Sequence, residues 1–485
     1  MKKSTMPLVG QKEMPTARIE GKRFFSFCVT ILAAWGTFLL LPVSFPWAAR
    51  MMTSIVVGGV ILWALEPVPL GLTSILIIVA MLLFDVVPMD VAFSGFASPA
   101  VFLIIAGMML AQAVNQTNLV KRVAYYILAR CGGTAKGILA GILLINQIQA
   151  FFIPATAVRT TLTLPIALML LELLKTQENH NLRKLILLGM AFGGNISGTA
   201  IMTAAIGNIL TVELVNRYLG MKISYFEWLL YSFPIWILLI PATWLLLVKM
   251  YPLEPSAQSF PQLKREMENE LQALGKLQTK EKKCLFIMVA TVLLWMTEPL
   301  HGLHPSVIAF VGVTLMAFPV IGFTTWEHVV KINFNTVLLL GTTLSMGYAL
   351  NESGATDLLG EIFSAPWIGP ILQHPPYAVI FVVVVAQIFH LAISNVSTSV
   401  VTLLPIVIGL SRKFGVDPFL LCFVAGLTSL HGYILVVETM PNLIVHSTGL
   451  IEQKDFIRPG IYMTLLTMFV TVFVALTWWR WIGLL

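Results

Sequence analysis

The longest uncharged run in this sequence constrains the fold more than any other feature. Residues 362–411 are 50 consecutive residues without Asp, Glu, Lys or Arg, and many other apolar runs reach the ~20 residues that a helix needs to cross a bilayer. Only 11% of the 485 residues are charged and 58% are hydrophobic, whereas a soluble domain has about 25% charged residues. The sequence therefore predicts an all-α polytopic membrane protein.

The apolar runs predict about eleven transmembrane helices. They are expected near 24–42, 51–65, 69–86, 98–117, 184–211, 224–250, 283–299, 304–322, 335–351, 417–446 and 459–483. Two further apolar segments, near 137–173 and 376–411, each have a polar or proline-containing interruption midway. Such interrupted segments are typical of re-entrant hairpins, which enter and leave the membrane on the same side.

The basic residues predict the orientation of the chain. Of the 30 Lys and Arg residues, 23 fall in segments predicted to be cytoplasmic and six in segments predicted to be outside, with Arg159 inside a hairpin. This distribution follows the positive-inside rule, with a cytoplasmic N-terminus, and it explains the net charge of +7 without a nucleic-acid partner. No cleavage site follows the basic tail, so the first helix is expected to be a retained anchor in a bacterial cytoplasmic membrane.

The chain divides into two related halves. A tail (1–23) precedes a first half (24–250), and a charged, partly helical cytoplasmic linker (251–283) precedes a second half (284–485). LWALEPVPLGLTS in the first half resembles LWMTEPLHGLHPS in the second, and LPIAL, IGNIL and VFLIIAGMMLAQAVNQ have counterparts in LPIVI, MPNLI and VLLLGTTLSMGYALNE. Segment order is kept while the predicted orientation reverses. Inverted repeats are typical of secondary transporters, whose substrates bind near the membrane midplane.

The second hairpin carries a polar cluster in its middle, formed by Ser394, Asn395, Ser397, Thr398 and Ser399. Unsatisfied polar groups in hydrocarbon cost several kcal/mol, so the cluster is expected to line a cavity or bind a ligand. Free N–H groups at a helix break suit an anion, and free carbonyl groups suit a hard cation such as Na⁺. The alternative is that these hydroxyl groups bond to their own helix or join neighbouring helices.

The first hairpin contains Pro154, which is expected to break the helix at the hairpin tip. Its one cation, Arg159, is a functional candidate because charged residues within a membrane segment are costly. Arg159 would attract an anionic substrate. The alternatives are a structural bond to a carbonyl group or an extended side chain that reaches the cytoplasmic interface.

Two later segments have glycine, proline and asparagine inside apolar helices. They read AFGGNISGTAIMTAAIGNIL and LTSLHGYILVVETMPNLIVHSTG, and such residues unwind helices and free backbone carbonyl groups for ions. Glu438 in the second segment is interpreted as a coupling carboxylate for Na⁺ or H⁺, or as an interfacial acid. His390, at the approach to the second hairpin tip, either touches the site or packs in the interior.

These motifs give a family resemblance. ISNVSTSVVTLLPI, TMPNLIVHSTG and KDFIRPGIYMTLL make nearly the whole chain resemble the divalent anion:sodium symporter family, whose members carry dicarboxylates, citrate, tartrate or sulfate. The resemblance implies two Na⁺ sites around the substrate, formed by two hairpin tips and two unwound loops. It also implies a homodimer that works by an elevator motion.

The resemblance assigns two sets of candidate site residues. The substrate set is Thr156, Arg159, Ser394, Asn395, Thr439, Pro441 and Asn442. The cation set is Ala155, Thr156, Gly198, Thr199, Gly207, Asn208, Ser394, Asn395 and Glu438. The chain also departs from the family pattern.

The departures concern both hairpin tips. Val396 replaces the threonine of the second tip, and the first tip reads Pro154-Ala155-Thr156 without the Ser-Asn pair. Aligning the LPI triplets pairs Ala155 with Asn395. An ungapped match to citrate-type relatives with Pro-Ser-Asn-Thr-Ala-Arg instead places Thr156 at the asparagine. Both registers stay open, and the first Na⁺ site is expected to be altered.

The sequence therefore predicts a secondary transporter that imports small di- or tricarboxylate anions with Na⁺, and no enzyme activity or other cofactor. The expected partners are a small anionic metabolite, the lipid bilayer and a second copy of the chain. Coupling to H⁺ and exchange of one carboxylate for another are the alternatives within transporters. A polytopic enzyme acting on lipid-borne substrates is the remote alternative, because the sequence lacks a membrane-edge cluster of His, Asp or Glu.

Overall fold

A computed structural model describes residues 16–174, 179–253, 260–393 and 395–485. The helices of the first half are α1 Thr16–Leu40, α2 Trp47–Leu65, α3 Leu70–Leu83, α4 Met89–Ser94, α5 Pro99–Asn115, α6 Leu119–Cys131, α7 Ala135–Ala150, α8 Thr156–Leu173, α9 His180–Ile196, α10 Ile206–Leu219 and α11 Tyr225–Met250. The linker contains α12 Pro261–Ala273. This helix confirms that the linker is partly helical.

The helices of the second half follow in a corresponding order. They are α13 Thr279–Met296, α14 Glu298–His301, α15 Pro305–Ala317, α16 Trp326–Val329, α17 Phe334–Glu352, α18 Ala355–Ile362, α19 Ile368–Leu372, α20 Pro375–Ile393, α21 Val396–Phe414, α22 Pro418–Thr428, α23 Met440–His446 and α24 Gln453–Val474. The described residues form helices and connecting segments without a β-strand. The prediction of an all-α fold is confirmed.

The helices are long and apolar enough for a polytopic membrane protein. Eight helical segments in the described chain meet the length and hydropathy needed to cross a bilayer. Four shorter apolar helices accompany them: α3, α7, α15 and α22. Three of the eight segments are the hairpin helices α8, α20 and α21, whose re-entrant path stays a prediction.

Local sequence explains where many of these helices begin. Ser98 caps α5 by accepting a hydrogen bond from the backbone N–H of Ala100, and Asp417 caps α22 in the same way through Phe419. Each cap is followed by a proline, which fits the first helical position because it has no N–H to satisfy. Ser224 closes a capping box at the start of α11.

Both predicted hairpins are pairs of helices joined by a short connection. The first joins α7 to α8 through residues 151–155, and the second joins α20 to α21 across residues 394–395. Pro165 and Pro405, in the matching LPI triplets, lie inside α8 and α21. Each proline removes one backbone hydrogen bond at a similar distance from its hairpin tip.

Both predicted broken helices are interrupted where glycine and proline occur. The span expected at 184–211 is divided into α9 and α10, with a 3-10 turn at Met202–Ala204 between them. The span expected at 417–446 is divided into α22 and α23, with a 3-10 turn at Val436–Glu438. These interruptions expose backbone groups inside the helix bundle.

The two halves interlock around these interruptions. Helix α9 packs against α7, α8 and α23, and helix α21 packs against α10, α18 and α22. Helix α8 also packs against α23, so each hairpin contacts a broken helix from the other half of the chain as well as its own. The candidate residues lie at this junction.

Candidate functional site

Arg159 lies completely buried beside the first hairpin tip. Its Nη1 donates hydrogen bonds to the carbonyl oxygens of Ile153 (2.6 Å) and Ala204 (2.9 Å), and its Nη2 donates to Oγ of Ser197 (2.9 Å). Within the described chain no carboxylate lies within ion-pair distance of this guanidinium. Arg159 thus joins the tip to the first broken helix and leaves a fixed positive charge there.

The tip of the first hairpin has an unusual backbone at Ala155. This residue has φ 131°, a region that side chains of L-amino acids rarely adopt and that costs about 1–3 kcal/mol. The next residue, Thr156, begins α8, and its Oγ1 lies 3.5 Å from the carbonyl oxygen of Ala204. The strained residue brings the Thr156 hydroxyl to the first broken helix.

Asn208 shapes the loop between α9 and α10. Its Nδ2 donates to the carbonyl oxygens of Gly198 (2.7 Å) and Ile201 (3.0 Å). Its Oδ1 is buried and has no hydrogen-bond partner in the part of the chain that the structure describes. Asn208 therefore holds the unwound loop open and presents one free amide oxygen.

Asn442 does the same in the second broken helix, at the same sequence spacing. Its Nδ2 donates to the carbonyl oxygens of Gly432 (3.1 Å) and Leu435 (3.1 Å), which lie ten and seven residues earlier. Asn208 bonds to the residues ten and seven positions before it in the same manner. The two unwound loops are thus equivalent in construction.

Two bridges connect the first broken helix to the second unwound loop, one from Asn195 near the end of α9 and one from Thr199 in the first unwound loop. Nδ2 of Asn195 donates to the carbonyl oxygen of Gly432 (2.8 Å) and to Oδ1 of Asn442 (3.1 Å). In the second bridge, Nε2 of His431, from the second half, lies 2.9 Å from Oγ1 of Thr199 in the first half. Because Asn195 occupies Oδ1 of Asn442, every polar side-chain atom of Asn442 has a protein partner.

The second hairpin begins its inner helix at Asn395. Oδ1 of Asn395 accepts hydrogen bonds from the backbone N–H of Thr398 (3.1 Å) and from its hydroxyl group (3.3 Å). Ser394, the other predicted tip residue, lies outside the described residues. A Cβ atom on Gly207 would lie 2.7 Å from Cγ1 of Val396, so this helix packs on the start of α10.

Pro441 and Thr439 lie at the start of α23. A Cβ atom on Gly194 would lie 3.0 Å from Cβ of Pro441 and 3.1 Å from Oγ1 of Thr160. The first hairpin, α9 and α23 therefore meet at this glycine. Thr439 is 6% exposed, and its hydroxyl oxygen has no partner among the described residues.

Glu438 and His390 both lie beside Gly432. A Cβ atom on Gly432 would lie 2.6 Å from Nε2 of His390 and 2.9 Å from Oε2 of Glu438, so those two atoms are at most 5.5 Å apart. Oε2 of Glu438 accepts a hydrogen bond from the N–H of Ile434, and Nδ1 of His390 lies 3.1 Å from Oγ of Ser399. Both side chains are buried.

The predicted residues fall into two groups. Thr156, Arg159, Gly198 and Asn208 converge on the first unwound loop, and Thr439, Pro441, Asn442 and Glu438 belong to the second. Ser197 and His431 are additional polar residues that the sequence did not single out. The sequence feature that could have identified them is their position directly before the loop glycines Gly198 and Gly432. In the described chain no group of three His, Cys, Asp or Glu residues is arranged to hold a metal ion.

Hairpins packed on broken helices, with polar loops buried between apolar membrane helices, define the class of polytopic membrane transport proteins. A family model described as the sodium:sulfate symporter transmembrane region matches residues 22–485. The chain belongs to this family. It is a multi-pass membrane transporter and not an enzyme.

Curated relatives extend over most of the chain. A membrane protein of Cupriavidus necator is 24% identical over 462 residues, which are 90% of this chain and 88% of that protein. The sodium-dependent dicarboxylate transporter SdcS of Staphylococcus aureus (strain USA300) is 26% identical over 463 residues, which are 90% of this chain and 86% of SdcS. The family resemblance expected from the sequence motifs is confirmed.

Proposed function

We propose that this chain is a secondary active transporter that imports small di- or tricarboxylate anions coupled to Na⁺. The observation that carries the proposal is the pair of unwound loops, each held open by an asparagine at the same spacing and each beside a hairpin. The similarity to a relative named a sodium-dependent dicarboxylate transporter supports this substrate class and this coupling ion.

The anion is attracted by positive charge and by helix starts. Arg159 is a buried cation without a carboxylate partner in the described chain, and the N-terminus of α21 adds the positive end of a helix dipole. Thr156, Ser394, Asn395 and Thr439 would supply further hydrogen bonds. A dianion is favoured over a neutral molecule because such a site lacks bulk water to screen the charge.

The cation is proposed to bind in the first unwound loop. Oδ1 of Asn208 is a buried acceptor without a partner in the described chain, and amide and hydroxyl oxygens are ligands that hard cations accept. Thr156, beside Ala204, and the backbone of Gly198 and Thr199 complete this candidate set. In the second half, Asn395 and Glu438 are the corresponding candidates.

Transport is proposed to follow an elevator motion in a homodimer, with the two hairpins and two broken helices as the moving unit. The extensive packing of α9 on α7, α8 and α23 supports a common unit, since separating these helices would expose the polar loops to lipid. The import direction follows from coupling to an inward Na⁺ gradient.

Exchange of one carboxylate for another is a second candidate function, and Arg159 favours it. Its guanidinium already binds the carbonyl oxygens of Ile153 and Ala204 at the first tip and loop, which are groups that a bound cation would use. A fixed positive charge would offset the substrate charge without Na⁺. In that case the carrier would cross the membrane in the return direction only with another anion bound.

The test is uptake of labelled succinate, malate, citrate and sulfate into proteoliposomes containing the full chain, with and without an inward Na⁺ gradient. Na⁺-driven accumulation of a carboxylate is the expected result. Uptake that requires a carboxylate preloaded inside the vesicles, and that ignores the Na⁺ gradient, would replace symport by exchange. Absence of carboxylate uptake under both conditions would refute the proposed substrate class.

A further inference from the structure

The second unwound loop contains buried polar atoms that no described residue satisfies. Nε2 of His390 and Oε1 of Glu438 have no hydrogen-bond partner in the described chain, although the two side chains are only 1% and 2% exposed. Nδ1 of His431 and Oγ1 of Thr439, at the same loop, are also unpartnered. An unsatisfied buried polar group costs about 1–3 kcal/mol, so such a cluster is expected to bind water or the polar group of a ligand.

Ser399 is the hydrogen-bond partner of His390 on the Nδ1 side of the imidazole. The Ser399 hydroxyl lies 3.1 Å from Nδ1 of His390. When this hydroxyl donates to Nδ1, the ring proton resides on Nε2 and makes Nε2 a donor. Nε2 lies against Gly432, where a Cβ atom would be only 2.6 Å from it, so this close approach of the imidazole requires glycine.

Glu438 offers the complementary role beside the same glycine. One carboxylate oxygen, Oε2, accepts a hydrogen bond from the N–H of Ile434, while Oε1 has no hydrogen-bond partner among the described residues. Nε2 of His390 and Oε2 of Glu438 are at most 5.5 Å apart. One ligand group can bridge this separation when it accepts a hydrogen bond from the imidazole and donates one to the carboxylate. A hydroxyl group has this capacity, whereas a second carboxylate would be repelled by Glu438.

We propose that His390 and Glu438, beside Gly432, form a subsite for the hydroxyl group of a 2-hydroxy di- or tricarboxylate. This inference rests on the proposed function and narrows its substrate class. Glu438 then serves substrate selection in place of the cation binding proposed above, and Asn395 stays the cation candidate of the second half. Thr439, the next residue after Glu438, belongs to the candidate substrate set. The proposed hydroxyl subsite therefore adjoins, in the sequence, a residue that is expected to bind the substrate.

The expected selectivity follows from the burial of both groups. A site built to hydrogen-bond a hydroxyl rejects an analogue without it strongly, because the polar groups of the site then stay unpaired. Malate and succinate differ by this one hydroxyl group. We expect the carrier to prefer malate over succinate by at least about tenfold in kcat/KM.

Matched variants of His390 separate hydrogen bonding from packing. In His390→Gln the amide nitrogen reaches the position of Nε2 and can donate, whereas His390→Asn is too short to do so. We expect His390→Gln to keep most of the malate preference and His390→Asn to lose it. Gly432→Ala would place a methyl group 2.6 Å from Nε2 of His390, so this variant should also reduce the preference for malate. Gly36→Ala is its control, because no atom lies within 4 Å of the new Cβ. This control should keep the malate preference.

Two readouts on the full-length protein test the inference. One is the ratio of kcat/KM for malate and succinate in proteoliposomes, and the other is the rise in melting temperature of the purified protein with each acid. A malate preference that His390→Asn removes and His390→Gln retains supports the subsite. Equal stabilisation by malate and succinate, or a preference unchanged in His390→Asn, would overturn it and leave the pair as a site for bound water.

The same readouts distinguish this inference from the proposed transport. Malate could raise the melting temperature more than succinate and still not be taken up, either with an inward Na⁺ gradient or into vesicles preloaded with a carboxylate. That result would refute transport of malate and keep the subsite. Uptake of malate and succinate with equal kcat/KM would keep the proposed transport and refute the subsite.

Discussion

Arg159 shows how a single residue can be predicted as important while its geometry stays hidden. Its position in an apolar hairpin marked it as a functional candidate, and a bond to a carbonyl was one of the alternatives considered. The structure gives it two carbonyl partners and the hydroxyl of Ser197. Two of these partners, Ala204 and Ser197, lie 45 and 38 residues from Arg159 in the sequence. Sequence spacing therefore could not predict them.

Replacing Arg159 by Gln should destabilise the protein. The variant leaves buried acceptors without donors, at about 1–3 kcal/mol for each one. The melting temperature of the purified protein should fall clearly below that of Arg50→Gln, because Arg50 donates to one carbonyl oxygen, that of Phe38. Equal melting temperatures for the two variants would show that the Arg159 contacts contribute little.

Asn195 should matter for substrate affinity although no motif assigned it a role. Asn195→Ala removes both hydrogen bonds to the second unwound loop, so the KM for the transported carboxylate should rise severalfold with a smaller change in kcat. Asn181→Ala is the matched control, because Asn181 donates to the Pro252 carbonyl far from these loops. A similar KM for both variants would contradict a positioning role.

At the scale of elements, sequence patterns located the interruptions but not the contacts. Proline and glycine disrupt helices through local backbone effects, so the hairpins and both broken helices were predicted close to their observed positions. The close packing of α18 on α21 was not predicted. It depends on Gly360 and Gly409, which belong to different helices and carry no local signal of their meeting.

The contact between these two glycines gives a prediction about helix packing. A Cβ atom on Gly360 would lie 2.5 Å from the carbonyl carbon of Gly409 and 2.6 Å from its oxygen. Gly360→Ala must therefore push α18 away from α21, and overpacking of this kind costs about 1–3 kcal/mol. Its melting temperature should be lower than that of Gly36→Ala, and equal values would mean that the helices separate without cost.

At the scale of the whole molecule, the repeat predicts an architecture with two similar loops in opposite orientations, and side-chain differences make the loops unequal. The loop asparagines Asn208 and Asn442 bind the same relative carbonyl groups. Only Asn442 also accepts from Asn195. Ser429 precedes Asn442 by the same 13 positions that separate Asn195 from Asn208, and its hydroxyl donates to the carbonyl of Ala425 in its own helix. Symmetry in the chain therefore does not give symmetry in the site.

The predicted orientation of the whole chain can be tested with single cysteines placed at exposed loop residues. Starting from a variant whose four native cysteines are replaced by alanine, Met221→Cys and Leu303→Cys should react with a membrane-impermeant maleimide in intact cells. Leu277→Cys in the linker should react only after the membrane is opened. All three positions are between 41% and 48% exposed, so access to the reagent depends on the side of the membrane. Labelling of Leu277→Cys in intact cells would contradict the predicted orientation, in which the N-terminus and the linker are cytoplasmic. In an inverted repeat, the side on which one loop lies determines the orientation of both halves.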